Sequence, residues 1–365
     1  MELRERKVEE GWMVELVEGE RPISWCSVVD RSLRIGKSVV VAGGIGGVGT
    51  LREFRRRGYS REVMERAVAL MLREEYDISF LHGIQDFYHK FGYATCMAEH
   101  EFSLETRDAE RVRGGTRVRS IKKGDIPQIA RIYNRDNAER TGSAVRDPHS
   151  WKGLQLGTWW SIRAGVRVVV DRQDRVKGYV AFDDVEDCCR AGEIGGQGEE
   201  VYAAILGFLA RRGGKLRREQ VWVNAPADHP FAVYCREFGL RLHTLYPRNE
   251  KPMGRIINLS SCMKKIKPEL KNRWGMGKRR DFLCFATDIG GVTLQWDGEK
   301  LFVGEEEKGK KIRLRQEHLM QLLMGYVRPG DLVTRGRISI PRGKGELMDR
   351  LFPLQQAQLW WADRF

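Results

Sequence analysis

One segment constrains the fold more than any other. The β-branched run Ser38-Val39-Val40-Val41-Ala42 leads into Gly43-Gly44-Ile45-Gly46-Gly47-Val48, a basic turn ending at Gly58-Tyr59-Ser60, and then residues 61–75. In that last stretch Val63, Met64, Ala67, Val68, Leu70, Met71 and Leu72 recur at helical spacing. The order strand, glycine-rich turn, helix gathers free backbone N–H groups and the positive end of a helix dipole in one small volume. Here Arg55, Arg56 and Arg57 add charge beside it. Such a place binds a pyrophosphate. Taken alone, a run of arginines before a glycine is more often a solvated helix entrance, and the glycines also suit a simple bulge.

The neighbouring segments change that balance. Upstream, residues 12–17 and 23–29 read as strands joined by a turn at Glu18-Gly19-Glu20-Arg21. Downstream, residues 77–81 read as a buried strand and Gly83-Ile84-Gln85-Asp86 as a loop, followed by Phe87-Tyr88-His89-Lys90-Phe91-Gly92-Tyr93. The spacing Arg55-x-x-Gly58-x-Ser60, with Phe87-Tyr88-x-x-x-Gly92-Tyr93 behind it, resembles the GCN5-related N-acetyltransferases. Ser60 stands where that family has Gly or Ala, and is small enough to let a backbone approach phosphates. The resemblance implies acetyl-CoA as cosubstrate. Its contacts would come from Val48, Gly49 and Thr50, from Arg56, Arg57, Gly58, Tyr59, Ser60 and Arg61, and from the loop at Gly83 and Ile84. It also implies splayed central strands that let the pantetheine arm add like an extra strand at Val48 and Thr50, and a helix bearing Tyr88 opposite the coenzyme sulfur.

Composition sets outer limits. The 365 residues suffice for two or three domains with real cores, and 41% hydrophobic with 31% charged residues suits a folded chain. No run of about 18 apolar residues exists. The opening Met1-Glu2-Leu3-Arg4-Glu5-Arg6-Lys7 is too charged for a secretory signal, and the expectation is a cytoplasmic protein with no membrane partner. Seven cysteines without C-x-x-C spacing predict neither a zinc site nor a disulfide scaffold, and Cys188-Cys189 read as ordinary thiols. The net charge is +14, yet residues 1–115 carry 18 basic and 20 acidic groups, so the excess lies further on. The clusters Lys264-Lys265-Ile266-Lys267 and Lys278-Arg279-Arg280 are interspersed with acids and read as solvated surface rather than a nucleic-acid site.

Three units follow one another: 1–113, 114–253 and 254–365. In the second, Asp125-Ile126-Pro127 starts a helix running to Asn137. Strands at 167–170 and 178–182, a helix at 199–212, a strand at 220–223 and a helix at 230–238 repeat the α/β order of the first unit. Its equivalent turn, Gly192 to Gly198, lacks the arginines and carries acid, so this unit is expected to be structural. In the third, Thr293-Leu294-Gln295-Trp296 and Leu301-Phe302-Val303 form a hairpin across Asp297-Gly298-Glu299-Lys300, with helices at 315–325 and 345–351. This unit resembles a sterol-carrier-like domain.

The fold class expected is therefore α/β (α+β): tandem acetyltransferase folds and a sterol-carrier-like domain, as in the enhanced-intracellular-survival (Eis) type N-acetyltransferases. That resemblance implies transfer to a primary amine (aminoglycoside-like, small amine or lysine) and a homo-oligomer, a hexamer in the family. It implies Tyr88 as general acid and Phe365, through its α-carboxylate, as general base, with Trp360 and Trp361 as apolar walls and no metal. His82 and His89 are alternative bases. One departure stands out: family members begin with a helical segment that roofs the acceptor pocket, whereas this chain enters strands almost at once. Two other readings use the same scaffold: an apolar-ligand or lipid binder acting through the third unit, and an inactive protein that binds polyanions.

Overall fold

Period-two alternation builds the first sheet. The structure is a computed structural model that describes residues 1–185, 189–275, 280–305 and 309–365. The strands β1 (Glu2–Val8), β2 (Gly11–Glu18), β3 (Arg21–Ile35) and β4 (Ser38–Thr50) form an antiparallel meander. Helix α1 (Tyr59–Arg73) then crosses back, and β5 (Ile78–Gly83) pairs parallel to β4. β1 is an addition to the sequence reading, which began the strands at Trp12. Its charged positions Arg4 and Glu5 pair with Glu20 and with Arg66 and Arg73 at the sheet edge.

Two strands cross the expected divisions between units. Glu99–Glu105, expected in the first unit, lies in the second sheet between Gln220–Val223 and Leu240–Leu245. Lys251–Ile256 returns in exchange, pairing antiparallel to β5 in the first sheet. Each sheet thus holds a strand from the other unit's stretch of chain.

Each sheet face has a distinct cover. On one face of the first sheet, Val63, Met64, Ala67, Leu70 and Met71 of α1 pack on Val14, Val28, Ile45 and Leu81. On the other, Ala42, Ile78 and Phe80 belong to the core of the third unit, with Leu319, Met320 and Phe352. That unit is a four-stranded sheet including the expected hairpin, in register Trp296↔Leu301, and helices at Gln316–Leu323 and Gly345–Leu351. Lys278 and Arg279 of the basic cluster lie outside the described residues, as does Cys188. Among the described residues, no helix is long and apolar enough to cross a membrane.

Other local readings need correction. The helix expected to carry Tyr88 is a single 3-10 turn, Tyr88–Phe91, closed by Gly92 at φ 76°. The Gly192–Gly198 turn is mostly strand, Arg190–Gly196, because Ala191 and Ile194 are buried in the second core.

One buried carboxylate ties the first unit to the third. Asp77, 0% exposed, accepts from the Val41 amide at 2.7 Å, the Ser261 hydroxyl at 2.6 Å and Lys265 Nζ at 2.7 Å. Removing it strands an ammonium and two donors. Asp77→Ala is expected to lower stability by about 3 kcal/mol, read as a drop in the urea midpoint; an unchanged midpoint would show that this tie is dispensable.

Candidate active site at the splayed strands

β4 and β5 begin as a parallel pair and then part. Their ladder runs Ala42↔Ile78, Gly43↔Ser79, Gly44↔Phe80 and Ile45↔Leu81, and stops there, although β4 continues to Thr50 and β5 to Gly83. The cause lies on the β3 side. There Trp25 faces Gly49 and Ser27 faces Gly46, so two residues of β4, Gly47 and Val48, bulge against Cys26 alone. Gly47 takes φ 56°, the left-handed conformation such a bulge requires. The bulge that the glycines suit is therefore present in the run.

The basic turn closes beside this gap. Arg55 donates Nε to the Thr50 carbonyl at 3.1 Å, folding residues 50–55 back toward α1, and Gly58 caps the helix at φ 88°. The amides of Arg56, Arg57, Gly58, Tyr59 and Ser60 have no backbone acceptor among the described residues. Arg56, Arg57 and Arg61 are exposed. Free N–H groups thus lie at the positive end of the helix dipole, with three exposed arginines in the same turn.

Tyr88 and Phe365 approach the gap from opposite faces. Tyr88 packs with the α1 core, its ring against Gly83 and edge-on to Tyr93 at 6.4 Å. Burial, with Cys26 nearby, pushes its phenol pKa up to about 12. Phe365 lies on the other face. A Cβ added at Gly44 would stand 2.5 Å from its ring, and one at Gly46 would stand 3.0 Å from its carboxyl carbon. Arg31 sits 5.9 Å from the ring centroid. Gly44 and Gly46 make room for Phe365.

A buried charge cluster holds that residue there. Arg146 donates Nε and Nη2 to Asp363 at 2.8 and 2.9 Å, and Nη1 and Nη2 to Glu193 at 2.6 and 2.7 Å. The phenols of Tyr133 and Tyr179 complete it, donating to Asp363 at 2.9 Å and Glu193 at 2.6 Å. Trp360, expected as a wall of the site, is instead an anchor in the second core, its Nε1 donating to Asn137 at 3.0 Å. None of Arg146, Asp363 and Glu193 belongs to a local motif, so the sequence reading missed them; they meet only through the tertiary fold.

Trp361, the other expected wall, borders a cavity of about 1150 Å³ between the two sheets. Gly83 and Ile84 also line it, together with His82, Trp159, Trp160 and Arg364. His82 stacks on Trp361 at 6.5 Å, and its buried Nε2 has no partner among the described residues. Burial, Arg364 and Lys251 push the His82 pKa well below the usual imidazole value. His89 sits on the Tyr88 turn, its Nδ1 also unpartnered.

Residues 1–96 match the acetyltransferase (GNAT) domain family. The whole chain shares its fold with solved structures of low identity. A probable N-acyltransferase from Enterococcus faecalis V583 is 16% identical, with TM-score 0.74 over 98% of this chain and 90% of that one. A GCN5-related N-acetyltransferase from Kribbella flavida is 15% identical, with TM-score 0.75 over 97% and 87%. Eis1 from Mycobacterium abscessus is 16% identical, with TM-score 0.67 over 98% and 92%. No curated protein matches the chain. In the second unit the parallel ladder between Arg190–Gly196 and Gln220–Val223 ends at Ala191↔Val223. Beyond it Glu193 holds Arg146, Tyr179 packs on Gly195, and the Gly196 amide donates to Asp136 at 2.6 Å.

Asp363→Ala leaves Arg146 buried with one partner and frees the tail. Release of Phe365 by a carboxypeptidase from the native protein is expected to speed up by about a hundredfold. Gly44→Val should act in the same direction by displacing the ring. Unchanged release in both variants would mean the tail is not held by these contacts.

Proposed function

We propose that this chain transfers acetyl from acetyl-CoA directly to an amine, with Tyr88 as proton donor and the carboxyl of Phe365 as proton acceptor. The observation that carries the reading is the placement of phenol and carboxyl on opposite faces of one gap in the sheet. The residues present suit the cosubstrate. The free amides from Arg56 to Ser60, with Arg56, Arg57 and Arg61, would hold its pyrophosphate, and Val48, Gly49 and Thr50, left unpaired on the β5 side, would hold its pantetheine arm. Bound acetyl-CoA supplies an activated acyl group.

The chain's own groups then manage protons. An ammonium must lose one before its nitrogen can attack, and in a chain that terminates at Phe365 an α-carboxylate stands on the acceptor face to receive it. With an ordinary pKa of about 3.5, such a carboxylate is a weak base, so the proton travels through water to bulk. On the other face, the raised pKa of Tyr88 keeps the phenol protonated, ready to donate to the leaving thiolate. The described cysteines are buried, and Cys26, Cys96, Cys235 and Cys262 have pKa values raised by burial, which argues for direct transfer rather than a thiol nucleophile.

A second assignment for the base rests on His82. It is neutral, its Nε2 is unpartnered, and it borders the cavity through which an amine would arrive. His82→Gln separates the two: it leaves turnover within about threefold if the carboxylate is the base.

Tyr88→Phe is expected to lower kcat by about 10² to 10⁴ while leaving acetyl-CoA affinity unchanged. Since the phenol titrates at about 12, kcat should show no alkaline fall through pH 10. A fall near pH 9 that disappears in Tyr88→Phe would contradict the raised pKa, and an unchanged kcat in Tyr88→Phe would contradict the donor role. Extending the chain by a few residues after Phe365 should abolish thiol release without weakening acetyl-CoA binding, measured by calorimetry.

A further inference from the structure

The cavity beside the splay also specifies a class of acceptor, an inference that rests on the transfer reading above. Its position fits an acceptor site. His82 continues β5 one residue past the last ladder pair, Ile45↔Leu81, so it stands across the gap from Gly46, against which the Phe365 carboxyl packs. Arg364, the residue before Phe365, lines the same space.

Its charges are almost fully consumed internally. The carboxylates on its wall are Glu99, Glu101, Asp183 and Glu250, and the cations Arg190, Lys251 and Arg364. Glu99 receives Lys251 at 2.8 Å and Arg364 at 3.5 Å, and Arg190 pairs with Glu101. Asp183 accepts from the amide and hydroxyl of Thr158, both at 2.6 Å. Glu250 alone has no side-chain partner among the described residues; it is held in place by its backbone, which meets the Thr95 hydroxyl through both N–H and C=O. Four carboxylates against three cations leave one negative charge, on a group free to use it.

Three indoles cluster on one part of the wall. Trp159 and Trp160 sit side by side in the loop before the strand Ala164–Val170, 58% and 44% exposed. Their rings lie 6.4 and 5.8 Å from Trp361, and Trp361 carries the Arg364 guanidinium at 3.8 Å on its ring. Two adjacent exposed indoles facing a third leave apolar area in water that a flat ligand would cover.

We propose that this cavity takes a singly charged amine attached to an aromatic ring, the ring lying among Trp159, Trp160 and Trp361 and the ammonium turned toward Glu250 on approach. A flexible polycation fits poorly, since each further ammonium would lose water with no unpaired carboxylate to meet it.

The test uses phenethylamine as aryl monoamine and spermidine as polycation, with the full chain and saturating acetyl-CoA. The expected kcat/KM for phenethylamine exceeds that for spermidine by about tenfold or more. Trp159→Leu combined with Trp160→Leu, both at exposed positions, should lower the phenethylamine value about tenfold through KM. Phenylalanine at both positions should restore most of it, and acetyl-CoA affinity should not move. A preference for spermidine, or equal losses for both amines, would overturn the proposal while leaving acetyl transfer intact. Calorimetry without acetyl-CoA separates the remaining outcomes. Phenethylamine binding that the leucine variant loses, with no thiol release for any amine, upholds the cavity's class and removes the transfer reading. Absence of phenethylamine binding together with absence of its acetylation overturns the class.

Discussion

A guanidinium shared by two buried carboxylates governs the rest of this structure. Arg146, Asp363 and Glu193 are 1%, 5% and 2% exposed, and their hydrogen bonds are short and mutually consistent. Such a cluster adds little net stability, because burying each ion costs several kcal/mol before pairing offsets it. Its effect is geometric. Only one placement of the last residues satisfies all three groups, and that placement leaves Phe365 two positions further on, against Gly44 and Gly46. A loose tail would sample many positions; this one has a single low-energy seat.

The second unit supplies that seat. Its Glu193 holds Arg146, Arg146 holds Asp363, and Asp136 accepts from the Gly196 amide. Strand exchange strengthens that role. Since Glu99–Glu105 lies in the second sheet and Lys251–Ile256 in the first, the two units cannot slide apart without breaking ladders in both. The long β3–β4 hairpin adds a third contact, with the Arg34 amide bonded to the Ser143 carbonyl at 2.9 Å and the Gly36 amide to the Thr141 hydroxyl at 2.9 Å.

What the sequence disclosed was local. The strand, bulge and helix around Val40, Gly47 and Met64 follow from periodicity and glycine placement, and the hairpin at Asp297 from its turn residues. The basic turn at Arg56 to Ser60, with its free amides, was legible for the same reason: it lies within a few consecutive residues. Contacts between distant segments were not. Nothing near Arg146 signals that it will meet Asp363, and nothing in Glu99–Glu105 indicates that it pairs beyond its own unit. Tyr88 was expected on a helix and lies on a 3-10 turn, since Gly92 ends the segment before a helix can form. The Gly192–Gly198 segment misled because glycines that suit a turn equally suit a strand packed under Tyr179.

The proposed proton path depends on the charge of one carboxyl group placed by this clamp. Semisynthesis can replace the Phe365 carboxylate with a carboxamide of the same size, leaving the ring against Gly44 and the clamp intact. Single-turnover acetyl transfer with that protein tests the claim most directly. The expected result is a loss of about 10² to 10⁴ in rate with acetyl-CoA affinity unchanged. A carboxamide enzyme as fast as the carboxylate form would contradict it and pass the proton to another group.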